Sequence, residues 1–150
     1  MKALSLRQPW CDAVLWGGKR VENRLKWRGS NFRGEFFLHA AKGMTRAEYL
    51  EAIEFLKTNG IAWRPEMLRH NLVRGALVGR ACVVDVVMPG GFIHPGPGHP
   101  LSAASTVRHP AASSPWYMGG FALVLEDVRP LPHPIPYPGM LGFFDVPEYL

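Results

Sequence analysis

Cysteine is scarce in this chain of 150 residues: there are two, Cys11 and Cys82. Two separated thiols make neither a disulfide framework nor a zinc knuckle. Cys11 falls at the start of an expected helix and Cys82 inside an apolar stretch, so both read as small packing residues. No apolar run reaches about 18 residues, so no transmembrane helix and no membrane partner are expected. The N-terminus lacks the apolar core of a signal peptide, which makes a cytoplasmic location the expectation. His94, His99 and His109 share one segment, but no HxxxH, cysteine pair or carboxylate cluster accompanies them. Neither a metal nor a cofactor is therefore expected. Acidic residues are also few: 12 against 17 Lys and Arg, a net charge of +5. That balance favours a polyanionic partner.

The length suits one domain, 1–150, with a real core. Lys2 to Arg7 alternates like a strand, and Gln8-Pro9 then turns into a helix that Gly17-Gly18 ends. Trp10, Ala13 and Val14 would line the helix's buried face. Residues 25–34 read as a loop, and Glu35 to Ala41 as a strong strand. Thr45 and Glu48 stand at capping-box spacing, so a helix should begin there and stop at Asn59-Gly60. A short further helix is expected over 65–70. Leu77 to Met88 is the longest apolar strand candidate, and Phe121 to Leu131 is another. Between them, residues 89–115 are rich in Pro, Gly, Ser and His without periodicity. They read as a long loop, a mobile lid over the cleft or else a disordered stretch. The tail carries Leu141, Phe143 and Phe144, expected to pack back on the core. Strands interrupted by a few helices predict an α+β fold, with the strands closing into a small barrel.

The cations are placed unevenly. Arg7, Lys19, Arg20, Arg24, Lys26, Arg28 and Arg33 crowd the first quarter of the chain, interleaved with Trp10, Trp16 and Trp27. Cations contact phosphate and aromatic faces stack on bases, so this segment is the candidate site. Lys19 could bind phosphate, or act as a base or nucleophile. Glu22 could orient Lys19 or accept from a cytosine amine, and Arg24 could fork onto a phosphate. Ser5 and Arg7 fall on one strand face by alternation. Gln8 could pair with a base edge and Trp10 could stack. His39 and Lys42 stand at the end of the central strand, and Trp116 follows a Ser-Ser-Pro turn that could bring it over a pocket. Each has a plainer alternative: ion pairs that hold a loop, a core histidine, or tryptophans that only pack.

The runs LSLRQPW, GGKRVENR and RGEFFLHAAK together resemble the ASCH domain, of the PUA-like superfamily, named after activating signal cointegrator 1. RGALVGRACVVDVV, SPWYMGGFALVLEDVRPL and GMLGFF fit the same pattern. The resemblance spans nearly the whole chain except residues 89–115. It implies a PUA-like β-barrel with flanking helices and a cleft beside the first helix, where His39 and Lys42 would face. It implies binding of RNA, of other single-stranded nucleic acid, or of a modified nucleoside. It also implies possible catalysis without a metal, since some ASCH-like proteins are ribonucleases and others hydrolyse N4-acetylcytidine. Those hydrolases carry a Lys and, three positions later, a Thr. Lys19 matches the Lys, while Glu22 stands at the Thr position. Their catalytic Glu falls near Asp85. A binding module is the first expectation, a small hydrolase (ribonuclease or amidohydrolase) the alternative. A third is a ligand-gated interaction protein that uses the same pocket.

Overall fold

The computed structural model describes residues 1–24, 31–63, 65, 72–100, 102–103 and 105–148. Of the loop expected over 25–34, residues 25–30, with Lys26, Trp27 and Arg28, lie outside these residues. So does nearly all of the expected helix over 65–70. The fold is α+β and mostly β, as the sequence predicts. The strands are β1 (Lys2–Leu6), β2 (Val21–Asn23), β3 (Gly34–Ala40), β4 (Ala76–Met88), β5 (Phe92–Ile93), β6 (Ala122–Pro136) and β7 (Phe143–Asp145). Two α-helices are described, α1 (Trp10–Trp16) and α2 (Arg46–Thr58). Hydrogen-bonded neighbours run β2, β6, β4, β3, β1, β7, with β5 on β4. By contact density the chain divides into two compact units. One holds Met1–Lys19, Phe36–Arg80 and Val128–Leu150; the other holds Arg20–Glu35 and Ala81–Asp127.

In the first unit β1 runs parallel to β3, with Ser5 opposite His39, and antiparallel to β7. Parallel strands are usually covered on both faces, and β3 is accordingly an apolar run, buried from Phe36 to Ala40. Ala3, Phe37, Leu77, Phe144 and Val146 form one core cluster, joined by Met1, Leu131, Ile135 and Tyr137. Each large side chain taken from water there contributes about 1.5–3 kcal/mol. Gly79 has to be glycine, because a Cβ would lie 2.6 Å from Leu15 and 2.8 Å from the Arg129 carbonyl. Helix α1 buries Cys11, Asp12, Ala13 and Val14. Trp10 is only half-buried and meets Phe55 edge-on at 5.5 Å. Helix α2 starts as expected, with Thr45 and Glu48 completing a reciprocal capping box.

In the second unit β2 pairs antiparallel with Ala122–Val124 of β6, and β5 with the end of β4. Residues 89–115 hold more order than the sequence suggests. They contain β5 and a 3-10 turn at Pro110–Ser113, and two histidines fasten them. His94 Nε2 donates to the Pro100 carbonyl at 2.9 Å, and its Nδ1 accepts from Gly96 N at 3.2 Å. His109 Nε2 lies 3.0 Å from Asp85, and its Nδ1 accepts from Ala111 N. Among the described residues no three His, Cys, Asp or Glu converge as metal ligands.

Two tail expectations need correction. The expected strand ending at Leu131 continues through Pro130, Pro132 and Pro134 to Pro136. Prolines are allowed because each is on the strand's unpaired side. Leu125 N donates to Arg20 O beside β2, yet Tyr137 N donates to Gly75 O beside β4. The facing parity therefore switches between them, at Asp127, which has φ 53° and marks a bulge. Beyond it the even positions turn from β4, where a missing N–H breaks no ladder bond. Leu141, expected to pack on the core, is 86% exposed, whereas Phe144 is buried. Glycines at 139 and 142 carry the Met140–Leu141 turn outward.

Candidate functional site

Lys19 follows α1, and its backbone N–H is held by the Ala13 carbonyl at 3.1 Å. Its side chain is only 2% exposed, among the largest fully buried side chains described. Glu22 on β2 is 9% exposed. Taking a charge-bearing side chain out of water is costly unless it is compensated, so the burial of each of these residues, three positions apart in the motif, is notable. Arg24 reaches Glu22 at 4.0 Å with a quarter of its side chain exposed. Between them Asn23 Nδ2 donates to the Trp116 carbonyl at 2.8 Å, and Asn23 Oδ1 accepts from Met118 N at 2.9 Å. Glu22 thus pairs with Arg24, while Asn23 separately fastens the Trp116–Met118 backbone. Trp116 is 6% exposed, so its ring packs rather than standing open to a base.

The other predicted residues are engaged elsewhere. Arg7 forks onto the Glu48 carboxylate at the start of α2, Nη2 at 2.6 Å and Nε closer still. That pairing holds Glu48 below its usual carboxylate range, chiefly through the Arg7 hydrogen bond, and keeps Arg7 more firmly protonated. Gln8 is buried, with Nε2 donating to Asp12 Oδ1 and to the Val73 carbonyl at 2.8 Å each, and Oε1 accepting from Asp12 N. Ser5 Oγ and His39 Nδ1 lie 2.6 Å apart, with His39 1% exposed. Lys42 is exposed at the end of β3.

Two further residues stand out: Asp12, which the sequence reading passed over, and Trp16, which it counted only among the interleaved tryptophans. Asp12 is 8% exposed, and burial pushes its carboxyl above the ordinary range, partly offset by the Gln8 hydrogen bond. A buried acid with a shifted pKa is a recognised mark of functional sites. Its signal in sequence was an acid in the first turn of the expected helix, four positions after Gln8. Trp16 is 58% exposed at the end of α1, three positions before Lys19, and is the exposed tryptophan among the described residues. A groove of about 330 Å³ at the start of α2, lined by Met44, Thr45, Arg46, Tyr49 and Leu50, includes none of the predicted residues.

The ASCH domain family model matches residues 4–120, most of the chain. The protein therefore belongs to the ASCH domain family, and its α+β strand arrangement is that of the PUA-like class. A comparison with curated proteins returns no match.

Proposed function

We propose that this ASCH domain binds single-stranded nucleic acid, RNA first, through the segment from Trp10 to Arg24. What carries the reading is the burial of both Lys19 and Glu22 inside the family motif. Charged groups held out of water at a motif point to a recognition role more than to ordinary surface chemistry. Within the unit that holds α1, Trp16 supplies an exposed stacking face and Lys42 and Arg46 are exposed cations for phosphate; in the other unit Arg20 is an exposed cation. Lys19 and Arg24 would take phosphate or a base edge, with Glu22 holding Arg24 or accepting from a cytosine amine. Arg7, Gln8 and Ser5 would contribute indirectly, through the bonds they make at the end of β1 and the start of α1. The test is fluorescence anisotropy with short labelled RNA and DNA at low salt. Binding should weaken several-fold on Arg24→Ala and on Lys19→Ala. Undetectable binding to both oligonucleotides would remove the reading.

A metal-independent hydrolase acting on RNA or an acylated nucleoside is the second reading, and the buried Lys19 favours it. A lysine shielded from water can serve as nucleophile or base. Glu22 stands where the related amidohydrolases carry Thr, which weighs against the same reaction. Turnover of N4-acetylcytidine or of RNA, lost in Lys19→Ala, would put the hydrolase first.

A further inference from the structure

Ser5 and His39 are register partners on the parallel strands β1 and β3, so their side chains leave the sheet on the same face. The Ser5 hydroxyl lies 2.6 Å from His39 Nδ1. The other ring nitrogen, Nε2, lies 2.6 Å from the Tyr137 carbonyl oxygen. A carbonyl only accepts, so the neutral ring carries its proton on Nε2 and turns a bare Nδ1 to the hydroxyl. Ser5 therefore donates to His39. This is the relation that activates a serine: a base on the hydroxyl, and an acceptor behind the base that fixes its tautomer. The acceptor is usually a carboxylate; here a backbone carbonyl takes that place.

The surroundings fit the same chemistry. His39 is 1% exposed and meets Phe144 edge-on at 6.0 Å. Tyr137 stacks on Phe144 at 6.3 Å, giving the pair an apolar wall. Low polarity strengthens the hydrogen bonds and favours an apolar acyl group beside them. Gly139 closes the arrangement. A methyl group on it would stand 2.8 Å from both Ser5 Oγ and His39 Cε1, so its bare backbone rests directly on the pair. Met140 and Leu141, next in the chain, are 63% and 86% exposed. The same turn is thus a cover on one side and an apolar handle on the other.

We propose that Ser5 is a His39-activated nucleophile for carboxylic esters with an apolar acyl chain, in a site covered by the 139–142 turn. Oγ bonds to the ester carbonyl carbon while its proton passes to Nδ1. The carbon–oxygen ester bond breaks, and the alcohol leaves with that proton. Water then attacks the acyl-serine, giving its proton to Nδ1, and the acid departs as Ser5 regains its hydrogen. The proposal is independent of nucleic-acid binding, since it places the chemistry on Ser5 and not on Lys19.

The test combines labelling by a fluorophosphonate, located by peptide mass spectrometry, with hydrolysis of 4-nitrophenyl butyrate. The wild type should carry one adduct, on Ser5. Ser5→Ala should lose the adduct and fall to the buffer rate, and His39→Gln should be at least about 100-fold slower. Gly139→Ala should push the turn away and raise the labelling rate several-fold. Circular dichroism of each variant separates lost chemistry from lost fold. An adduct on Ser5 in Gly139→Ala alone supports the covered nucleophile. No Ser5 adduct in either the wild type or a folded Gly139→Ala protein overturns the proposal and leaves the pair a structural clasp. Equal labelling rates in those two proteins overturn the cover.

Discussion

The guanidinium of Arg7 shows how one residue's partners decide its role. A sequence rich in cations invites each to be counted toward a polyanion, yet Arg7 is already forked onto Glu48. Asp12 presents the reverse case, a carboxyl that burial pushes toward its protonated form. The two acids have opposite linkage to pH. Glu48 has its folded pKa lowered from 4.5, so it contributes stability above that value and loses it as pH falls through the folded one. Its contribution is modest, on the order of 0.5 kcal/mol, because the pair is partly exposed to solvent. Asp12 has its folded pKa raised from 3.8, so its contribution is present below that value and lost as pH rises through the folded one. Urea unfolding of Glu48→Gln and Asp12→Asn checks both signs. Glu48→Gln should be less stable than the wild type at pH 7, with the gap closing in acid. Asp12→Asn should gain on the wild type as pH rises from 3 to 7. An Asp12→Asn gap that does not change with pH would contradict the burial argument.

At the scale of elements, what was legible in sequence followed local rules. The capping box announced α2, the glycine pair ended α1, and the apolar runs gave β3 and β4, because each signal acts within a few residues. The end of β6 was not legible. Proline in a strand normally argues against it, and only the strand's neighbours show that one side is unpaired. Asp127 sets that relation through a bulge, and a bulge at an Asp carries no sequence signature of its own. The alternating prolines then remove N–H donors along the open edge, which blocks pairing with another chain. Pro132→Thr together with Pro134→Thr should keep the fold and restore two donors. Size-exclusion chromatography should then show concentration-dependent association absent from the wild type. A strictly monomeric double variant would mean the edge is protected by something else. Residues 89–115 escaped for a related reason. His94 and His109 order them by bonding to the Pro100 carbonyl and to the Asp85 carboxylate, partners that only the folded chain brings within reach.

For the molecule as a whole, family membership and the distribution of charge bear on the same segment. The site was legible as a motif, LSLRQPW with GGKRVENR, but not as a division of labour. The sequence placed ten residues in it, and the structure separates them by role. Glu22 pairs with Arg24, and Trp116 is fastened separately through Asn23. Arg7 ties the end of β1 to α2, Gln8 ties the start of α1 to the Val73 carbonyl, and Ser5 with His39 forms a pair of its own. Burial explains the difference, since sequence spacing shows which groups are near along the chain but not which are withdrawn from water. The central claim is that the segment from Trp10 to Arg24 recognises single-stranded nucleic acid by charge and stacking. Its most direct measurement is the affinity for a short single-stranded RNA across a salt series, for the wild type, Arg24→Ala and Trp16→Ala. Each phosphate contact contributes about −0.7 to the slope of log affinity against log salt for single strands. Three or four contacts predict a wild-type slope of roughly −2 to −3. Arg24→Ala should make it shallower by about one contact, while Trp16→Ala should weaken binding at every salt with the slope unchanged. Affinity indifferent to salt, or unchanged by both substitutions, would contradict the account.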